Sequence, residues 1–211
     1  RYYQVARCFR DEDLRADRQP DFTQIDIETS FLSEDEILTL TENLIKKIMH
    51  DVKNIDIQIP FRRLKYDYCI ETYGSDKPDT RYDLKLQDVK DVLSKINFEA
   101  FKTAKVIKAL VIENHASVTT RKVIDGINLH AKKFGLGGLT VLKYINHQLE
   151  GSFLKFFEPE QIDELVKTLN LKEDDLVIIG AGIKMKVCPC LGALRTQYAK
   201  EMNLIKPNTF D

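Results

Sequence analysis

Arginine and carboxylate side chains are densely interleaved in one short segment near the start of the chain, from Arg7 to Arg18. A guanidinium group is a planar fork that holds phosphate or carboxylate through two parallel hydrogen bonds, and arginines in a loop can follow a nucleic-acid backbone. The segment therefore predicts an anion-binding strand end joined to an adaptable arm. Its charged residues are Arg7, Arg10, Arg15 and Arg18 with Asp11, Glu12, Asp13 and Asp17.

Other groups that could do chemistry lack the partners that a site needs. The four cysteines are too few and too scattered for a secreted disulfide framework, so they predict free, buried thiols in a reducing compartment. The Cys-Pro-Cys triplet at 188–190 has no second cysteine pair, which argues against a zinc site. The Gly-Ala-Gly at 180–182 follows a strand, but Met185 stands where a dinucleotide-binding loop needs its third glycine.

Two stretches with a period of two flank the charged segment and predict the strands that position it. In the first, one face carries Tyr3, Val5, Arg7 and Phe9, and the other carries Gln4, Ala6, Cys8 and Arg10. In the second, one face carries Ile25, Ile27 and Phe31, and the other carries Phe22, Gln24, Asp26 and Glu28. Together they predict a hairpin with a long charged loop. The polar face of its second strand is either solvated or the floor of a pocket.

The elements after the hairpin alternate between helices and strands. Ser33 and Glu36 form a capping box, and the apolar residues that follow predict an amphipathic helix that covers the apolar side of the hairpin. Broken patterns from residue 52 to residue 81 predict a short helix and a turn. The remaining patterns predict strands at 105–112, 139–146 and 176–179, and helices at 119–134, after Pro159, and at 191–202.

Composition narrows the class of protein. Of the 211 residues, 43% are hydrophobic and 31% charged, which is typical of a folded domain and argues against a disordered chain. The formal net charge is −1, so any contact with nucleic acid must come from a local patch. The apolar runs are far shorter than the roughly 20 residues that cross a bilayer, so we expect no membrane partner. With no initiator methionine and no leader, the sequence is expected to be a piece of a longer protein.

The charged segment and the strand after it carry a family resemblance. Residues Phe9–Pro20 followed by Phe22–Glu28 resemble the second signature motif of class II aminoacyl-tRNA synthetases, in its bacterial-type aspartyl-tRNA synthetase form. The segment Tyr73–Asp79, followed by Arg81, is similar to the same family. Residues from about 98 to 194 resemble the family's inserted GAD domain.

The resemblance implies roles for individual residues. Arg10 matches the arginine that holds the ATP α-phosphate and the aspartate carboxyl, where its fixed charge would stabilise the transition state as the catalytic group. Phe22 matches the ring that stacks on adenine, and Asp26 matches the carboxylate that receives the substrate's α-amino group. The other implied ATP-binding residues are Asp11, Glu12 and Gln19, and the implied contacts to the tRNA acceptor end are Asp13 and Arg15. Because strand alternation independently places Phe22 and Asp26 on one face, the pocket interpretation is now favoured.

The resemblance also implies an α+β fold class. Residues 1–94 would form part of the class II antiparallel-sheet catalytic core, with the motif 2 hairpin and its helix. Residues 95–194 would form an inserted α/β GAD domain, and residues 195–211 a return segment toward the core.

The implied parent protein activates L-aspartate with ATP to aspartyl-adenylate and transfers it to the 3′ end of an aspartate-accepting tRNA. It would be a cytoplasmic homodimer that requires Mg²⁺ held by ligands outside this segment, with no metal site here. The family's first and third motifs are absent, so we expect the 211 residues alone to be inactive. The alternatives are an RNA-binding GAD-type module of a tRNA-dependent amidotransferase and a non-catalytic synthetase paralogue.

Overall fold

The structure is a computed structural model that describes residues 2–13 and 18–210. The chain divides into two compact units, Arg1–Arg63 and Leu64–Asp211, which we call unit 1 and unit 2. Arg15, one of the two predicted tRNA contacts, lies outside the described residues. The domain limits predicted above, at residues 94/95 and 194/195, stay predictions, because compactness does not mark where one domain is inserted into another.

Unit 1 consists of a hairpin and a long helix. Strands β1 (Tyr2–Phe9) and β2 (Asp21–Glu28) pair antiparallel, and the backbone N–H of Arg10 extends the ladder by donating to the carbonyl of Pro20 at 2.8 Å. Helix α1 (Glu34–Lys53) begins with the predicted capping box, since Ser33 and Glu36 each satisfy a backbone N–H of the other. The same hydrogen bonds lower the pKa of Glu36 below its ordinary value.

The prediction that α1 covers the apolar side of the hairpin is wrong. Ile25 and Ile27 on β2 are 65% and 49% exposed, and Leu44 on the apolar stripe of α1 is 40% exposed. A period of two or of 3.6 identifies which face of an element is apolar, but it does not specify what packs on that face. Two strands and one helix are also too few elements to bury both sides of a hairpin.

Unit 2 is built on a five-stranded sheet with strand order β3-β4-β7-β5-β6, in which every pair is antiparallel. The strands are β3 (Gln87–Asp88), β4 (Val106–Ile112), β5 (Thr140–Ile145), β6 (Gln148–Glu150) and β7 (Asp175–Gly182). The helices are α2 (Tyr66–Tyr73), α3 (Lys90–Leu93), α4 (Glu99–Lys102), α5 (Arg121–Lys133), α6 (Pro159–Leu169) and α7 (Lys184–Glu201), with a 3₁₀ helix at Leu154–Phe156. Mixed helices and antiparallel sheets confirm the α+β fold class.

Both faces of this sheet are covered, so the core of unit 2 has two halves. Along the central strand β7, Leu176 and Ile178 pack with α5 and α7, whereas Val177 and Ile179 pack with α3 and α6 on the other side. Side chains alternate between the two faces of a strand, so a strand buried on both faces reads as a continuous apolar run.

Helix α7 begins seven residues earlier than predicted, at Lys184 rather than at residue 191. The helix therefore contains Pro189, and a proline inside a helix removes one hydrogen bond and crowds the preceding turn. Val187, Cys188 and Cys190 are fully buried in this first part of the helix, and their packing outweighs that cost. Burial also raises the pKa of Cys190 to about 11, so the thiol stays protonated at neutral pH.

The prediction of free, buried thiols is confirmed for the three cysteines of unit 2. All four cysteines are free, and Cys69, Cys188 and Cys190 are buried, whereas Cys8 on the hairpin is partly exposed.

Candidate active site

The hairpin register brings the predicted catalytic and binding residues of both strands to one face. Gln4 lies opposite Asp26, Ala6 opposite Gln24, and Cys8 opposite Phe22, and directly opposed residues of an antiparallel pair share a face. The hydrogen bond from Arg10 to Pro20 continues this register by two residues, so Arg10 points to the same side. We call this side the polar face of the hairpin.

Asp26 is held by amides from both strands of the polar face. Gln4 donates through Nε2 to one carboxylate oxygen at 3.3 Å, and Gln24 donates through Nε2 to the other oxygen. Asp26 and Gln24 are half-buried. A carboxylate fixed in this way keeps lone pairs for an additional donor, so Asp26 can receive a substrate ammonium group without first reorienting.

Arg10 and Phe22 form the second part of the polar face. The guanidinium carbon of Arg10 lies 5.3 Å from the centroid of the Phe22 ring, within the distance for a cation–π contact. The backbone of Arg10 pairs with Pro20, but its side chain extends along β2 to Phe22, in the direction of Asp26. Asp26 lies four positions after Phe22 along β2, which is roughly 13 Å at the usual rise of a strand.

The remaining predicted residues lie at the loop end of the hairpin. Glu12 accepts a hydrogen bond from Arg18 at 2.6 Å, which joins the two sides of the loop across an exposed ion pair. Asp11, Asp13 and Gln19 are exposed. An exposed pair of this kind contributes little to stability, at most about 1 kcal/mol, so a ligand phosphate can compete for Arg18.

Three features of the hairpin were missed by the sequence argument. Gln4 reaches Asp26 across the strands, Arg18 pairs with Glu12, and Arg7 pairs with Asp21 on the opposite, apolar face. The strand register could have predicted the Gln4–Asp26 and Glu12–Arg18 contacts. Once Arg10 is placed opposite Pro20, the same register brings Gln4 opposite Asp26 and Glu12 opposite Arg18.

The second segment that resembles the family lies in unit 2 and is anchored by helix α7. Gly74 ends α2 in the left-handed conformation with φ 73°, and an added Cβ would lie 2.1 Å from the carbonyl oxygen of Cys188, so only glycine fits there. Asp79 accepts two hydrogen bonds from the Arg81 guanidinium, at 2.9 and 2.6 Å, and this pairing lowers the pKa of Asp79. Arg195 donates to the Asp79 carbonyl at 2.7 Å. The segment is therefore packed closely against α7 at Gly74 and hydrogen-bonded to α7 through Arg195.

Potential metal ligands are not clustered in the part of the chain that the structure describes. Within 2–13 and 18–210, no three histidine, cysteine or carboxylate side chains gather closely enough to hold an ion. In the same part of the chain, no helix combines the length and the apolar character needed to span a bilayer.

Known proteins are similar to this chain along its whole length. The family model described as tRNA synthetases class II (D, K and N) matches residues 1–201. A protein named aspartate–tRNA ligase from Streptococcus agalactiae serotype Ia is 46% identical over 211 residues, which is 100% of this chain and 36% of the relative. Proteins of the same name from Streptococcus equi subsp. zooepidemicus and Halalkalibacterium halodurans are 45% and 44% identical, again over 100% of this chain. The chain spans 36% of the length of these curated relatives.

Proposed function

The chain belongs to the class II tRNA synthetases (D, K and N), and on that premise we propose that the protein it comes from is an aspartate–tRNA ligase. Its substrates are L-aspartate, ATP and an aspartate-accepting tRNA. The reaction joins the aspartate carboxyl to the α-phosphate of ATP with release of pyrophosphate. The aspartyl group then passes from the adenylate to the 3′ end of the tRNA with release of AMP.

The observation that carries this proposal is the polar face of the hairpin, where a cation, an aromatic ring and a carboxylate follow one another along the strands. Arg10 binds the α-phosphate and the reacting carboxyl, and its charge offsets the negative charge that builds up as the acyl oxygen attacks phosphorus. Phe22 stacks on the adenine. Asp26, held by Gln4 and Gln24, receives the α-ammonium of the substrate.

The loop end of the hairpin contacts both the ATP and the tRNA. Asp11, Glu12 and Gln19 contact ATP, and Asp13 and Arg15 contact the tRNA acceptor end. The Glu12–Arg18 pair can open when phosphate arrives, because an exposed ion pair costs little to break.

The remaining parts of the proposal concern the whole protein. It is a cytoplasmic homodimer, and the 95–194 region is the GAD insertion. Mg²⁺ would be held by residues outside this segment and would offset the negative charge of the ATP phosphates. The 211 residues alone lack activity, because the curated relatives have a much longer chain in which to complete the site.

The experiment that tests the proposal is amino-acid-dependent exchange between ATP and pyrophosphate in the full-length parent protein. Aspartate is expected to support exchange, while asparagine and glutamate serve as control amino acids. Exchange with none of the three would overturn the proposal and favour an RNA-binding module or a non-catalytic paralogue.

A further inference from the structure

A series of hydrogen bonds crosses the polar face of the hairpin and ends on Asp26. Tyr2 and Gln4 lie two positions apart on β1, so their side chains share that face. The Tyr2 hydroxyl donates to Oε1 of Gln4 at 2.6 Å, and Gln4 in turn donates through Nε2 to Asp26 at 3.3 Å. Tyr2 has no part in the aminoacylation chemistry proposed above, so its place at the start of this series calls for an explanation.

The Tyr2 hydroxyl decides which end of the Gln4 amide faces Asp26. A half-turn about the last bond of a glutamine side chain exchanges its carbonyl oxygen with its NH₂ group. Only the NH₂ group can bond to an ionised carboxylate, because a carboxylate accepts hydrogen bonds and has no proton to donate. The Tyr2 hydroxyl donates to Oε1, the end of the amide that would repel Asp26. Tyr2 therefore favours the orientation in which Nε2 points to the carboxylate.

The two oxygens of Asp26 are held from different strands. Gln4 on β1 donates to Oδ2, and Gln24 on β2 donates to Oδ1. The last torsion of an aspartate side chain is otherwise broad, so these two amides fix the plane of the carboxylate. Each oxygen keeps a lone pair for a further donor. Since ordering a side chain upon binding costs free energy, a carboxylate that is fixed beforehand binds an ammonium group more tightly.

We propose that Tyr2 and Gln4 are positioning residues for the binding of aspartate, and that both act through Asp26. The inference rests on the proposed function, because it requires Asp26 to receive the α-ammonium of the substrate. Without the Tyr2 hydroxyl, the Gln4 amide turns freely, and Asp26 loses one of its two fixed donors for part of the time. The cost falls on the ammonium end of the substrate. Binding of the adenine and the phosphates, at Phe22 and Arg10, is expected to be unaffected.

The test is the ATP–pyrophosphate exchange reaction of the full-length parent protein, with the KM measured separately for aspartate and for ATP. Tyr2→Phe removes only the hydroxyl and should raise the KM for aspartate by about 3- to 10-fold, the effect of losing one neutral hydrogen bond, while the KM for ATP stays within about twofold. Tyr3→Phe makes the same change on the opposite face of β1, where Tyr3 is 75% exposed, and is the matched control. It should leave both constants within about twofold of the wild-type values. An unchanged KM for aspartate in Tyr2→Phe, or an equal rise in the KM for ATP, would overturn the inference.

A second variant and a double variant separate positioning from a general loosening of the hairpin. Gln4→Met keeps the length of the side chain but removes its donor, so the KM for aspartate should rise at least about threefold. In the Gln4→Met background, Tyr2→Phe should add less than about twofold, because the hydroxyl acts only through the Gln4 amide. Effects that multiply independently would contradict the assignment.

The wild-type protein tells the failure of this inference apart from the failure of the proposed function. If the wild type shows no aspartate-dependent exchange, the proposed function fails and the inference fails with it. If the wild type exchanges normally and neither Tyr2→Phe nor Gln4→Met changes the KM for aspartate, only the inference is overturned.

Discussion

Replacing Arg195 with lysine should destabilise unit 2 severely. Arg195 is 2% exposed on helix α7. It donates to the carbonyls of Leu84, Asp79 and Tyr82 and to the Tyr82 hydroxyl. Its guanidinium carbon lies 4.1 Å from the Tyr82 ring centroid and 4.9 Å from that of Tyr73. The side chain therefore fastens the segment before β3 to α7 through a planar fork and two aromatic rings.

Lysine keeps the charge but not the shape that these contacts need. A single ammonium nitrogen cannot reach acceptors spread around a planar fork, so at least two of the carbonyl or hydroxyl acceptors lose their donor. Each hydrogen bond from a charged donor contributes about 1.5–3 kcal/mol. With the weakened ring contacts, Arg195→Lys should lower the free energy of unfolding by about 3–5 kcal/mol, a large share of the total stability of an ordinary domain.

The assay is urea unfolding followed by far-UV circular dichroism, with hydrogen exchange of β7 amides reporting on unit 2 alone. Arg121→Lys, an exposed change at the start of α5, is the matched control and should alter the free energy of unfolding by less than about 0.5 kcal/mol. If Arg195→Lys also stays within about 0.5 kcal/mol of the wild type, the structural reasoning is refuted.

Three further predictions address the hairpin and the Asp79 pair. In the full-length parent, Arg10→Lys should slow aspartate-dependent ATP–pyrophosphate exchange by about 100-fold or more, because the fork is lost; an unchanged rate would remove Arg10 from catalysis. Phe22→Ala should raise the KM for ATP more than the KM for aspartate, and the reverse pattern would contradict adenine stacking. Arg81 holds the pKa of Asp79 below its ordinary value of 3.8, so the stabilisation is present above that pH and is lost as pH falls below it. Unfolding scans between about pH 5 and pH 3 should therefore show a steeper loss of stability in the wild type than in Asp79→Asn, and equal slopes would exclude the pair as a source of stability.

Local periodicity predicted the hairpin well because the two faces of a strand depend only on neighbouring residues. The alternation in both strands separated Phe22 and Asp26 from Ile25 and Ile27, and the structure keeps that division. The partner of Asp26 could not be obtained in this way. Gln4 is 22 residues away in the chain, and the register that brings it opposite Asp26 depends on how the loop closes.

Tertiary packing decided the features that the sequence did not predict. The first part of α7 tolerates Pro189 because the residues around it fill the core of unit 2. The burial of the Arg195 charge could not be predicted either. Its acceptors are mainly backbone carbonyls within residues 79–84, and every residue of any sequence carries such a carbonyl. Backbone acceptors leave no compositional signal, so only the fold shows where they converge.

The assignment of Asp26 can be tested apart from that of Arg10, because the two residues contact opposite ends of the proposed substrate. Asp26→Asn keeps the size of the side chain, and Gln4 and Gln24 can rotate their amides to satisfy it, so the hairpin should fold normally. The variant loses a charge-assisted hydrogen bond to the substrate ammonium, which is worth about 1.5–3 kcal/mol.

The KM for aspartate in the exchange reaction of the full-length parent should therefore rise by roughly 10- to 150-fold in Asp26→Asn, while the KM for ATP changes little. Glu28→Gln, an exposed change on the same face two residues further along β2, is the matched control and should leave both constants near their wild-type values. An unchanged KM for aspartate in Asp26→Asn would show that the carboxylate does not face the ammonium. The amides of Gln4 and Gln24 would then be holding Asp26 for the stability of the hairpin alone.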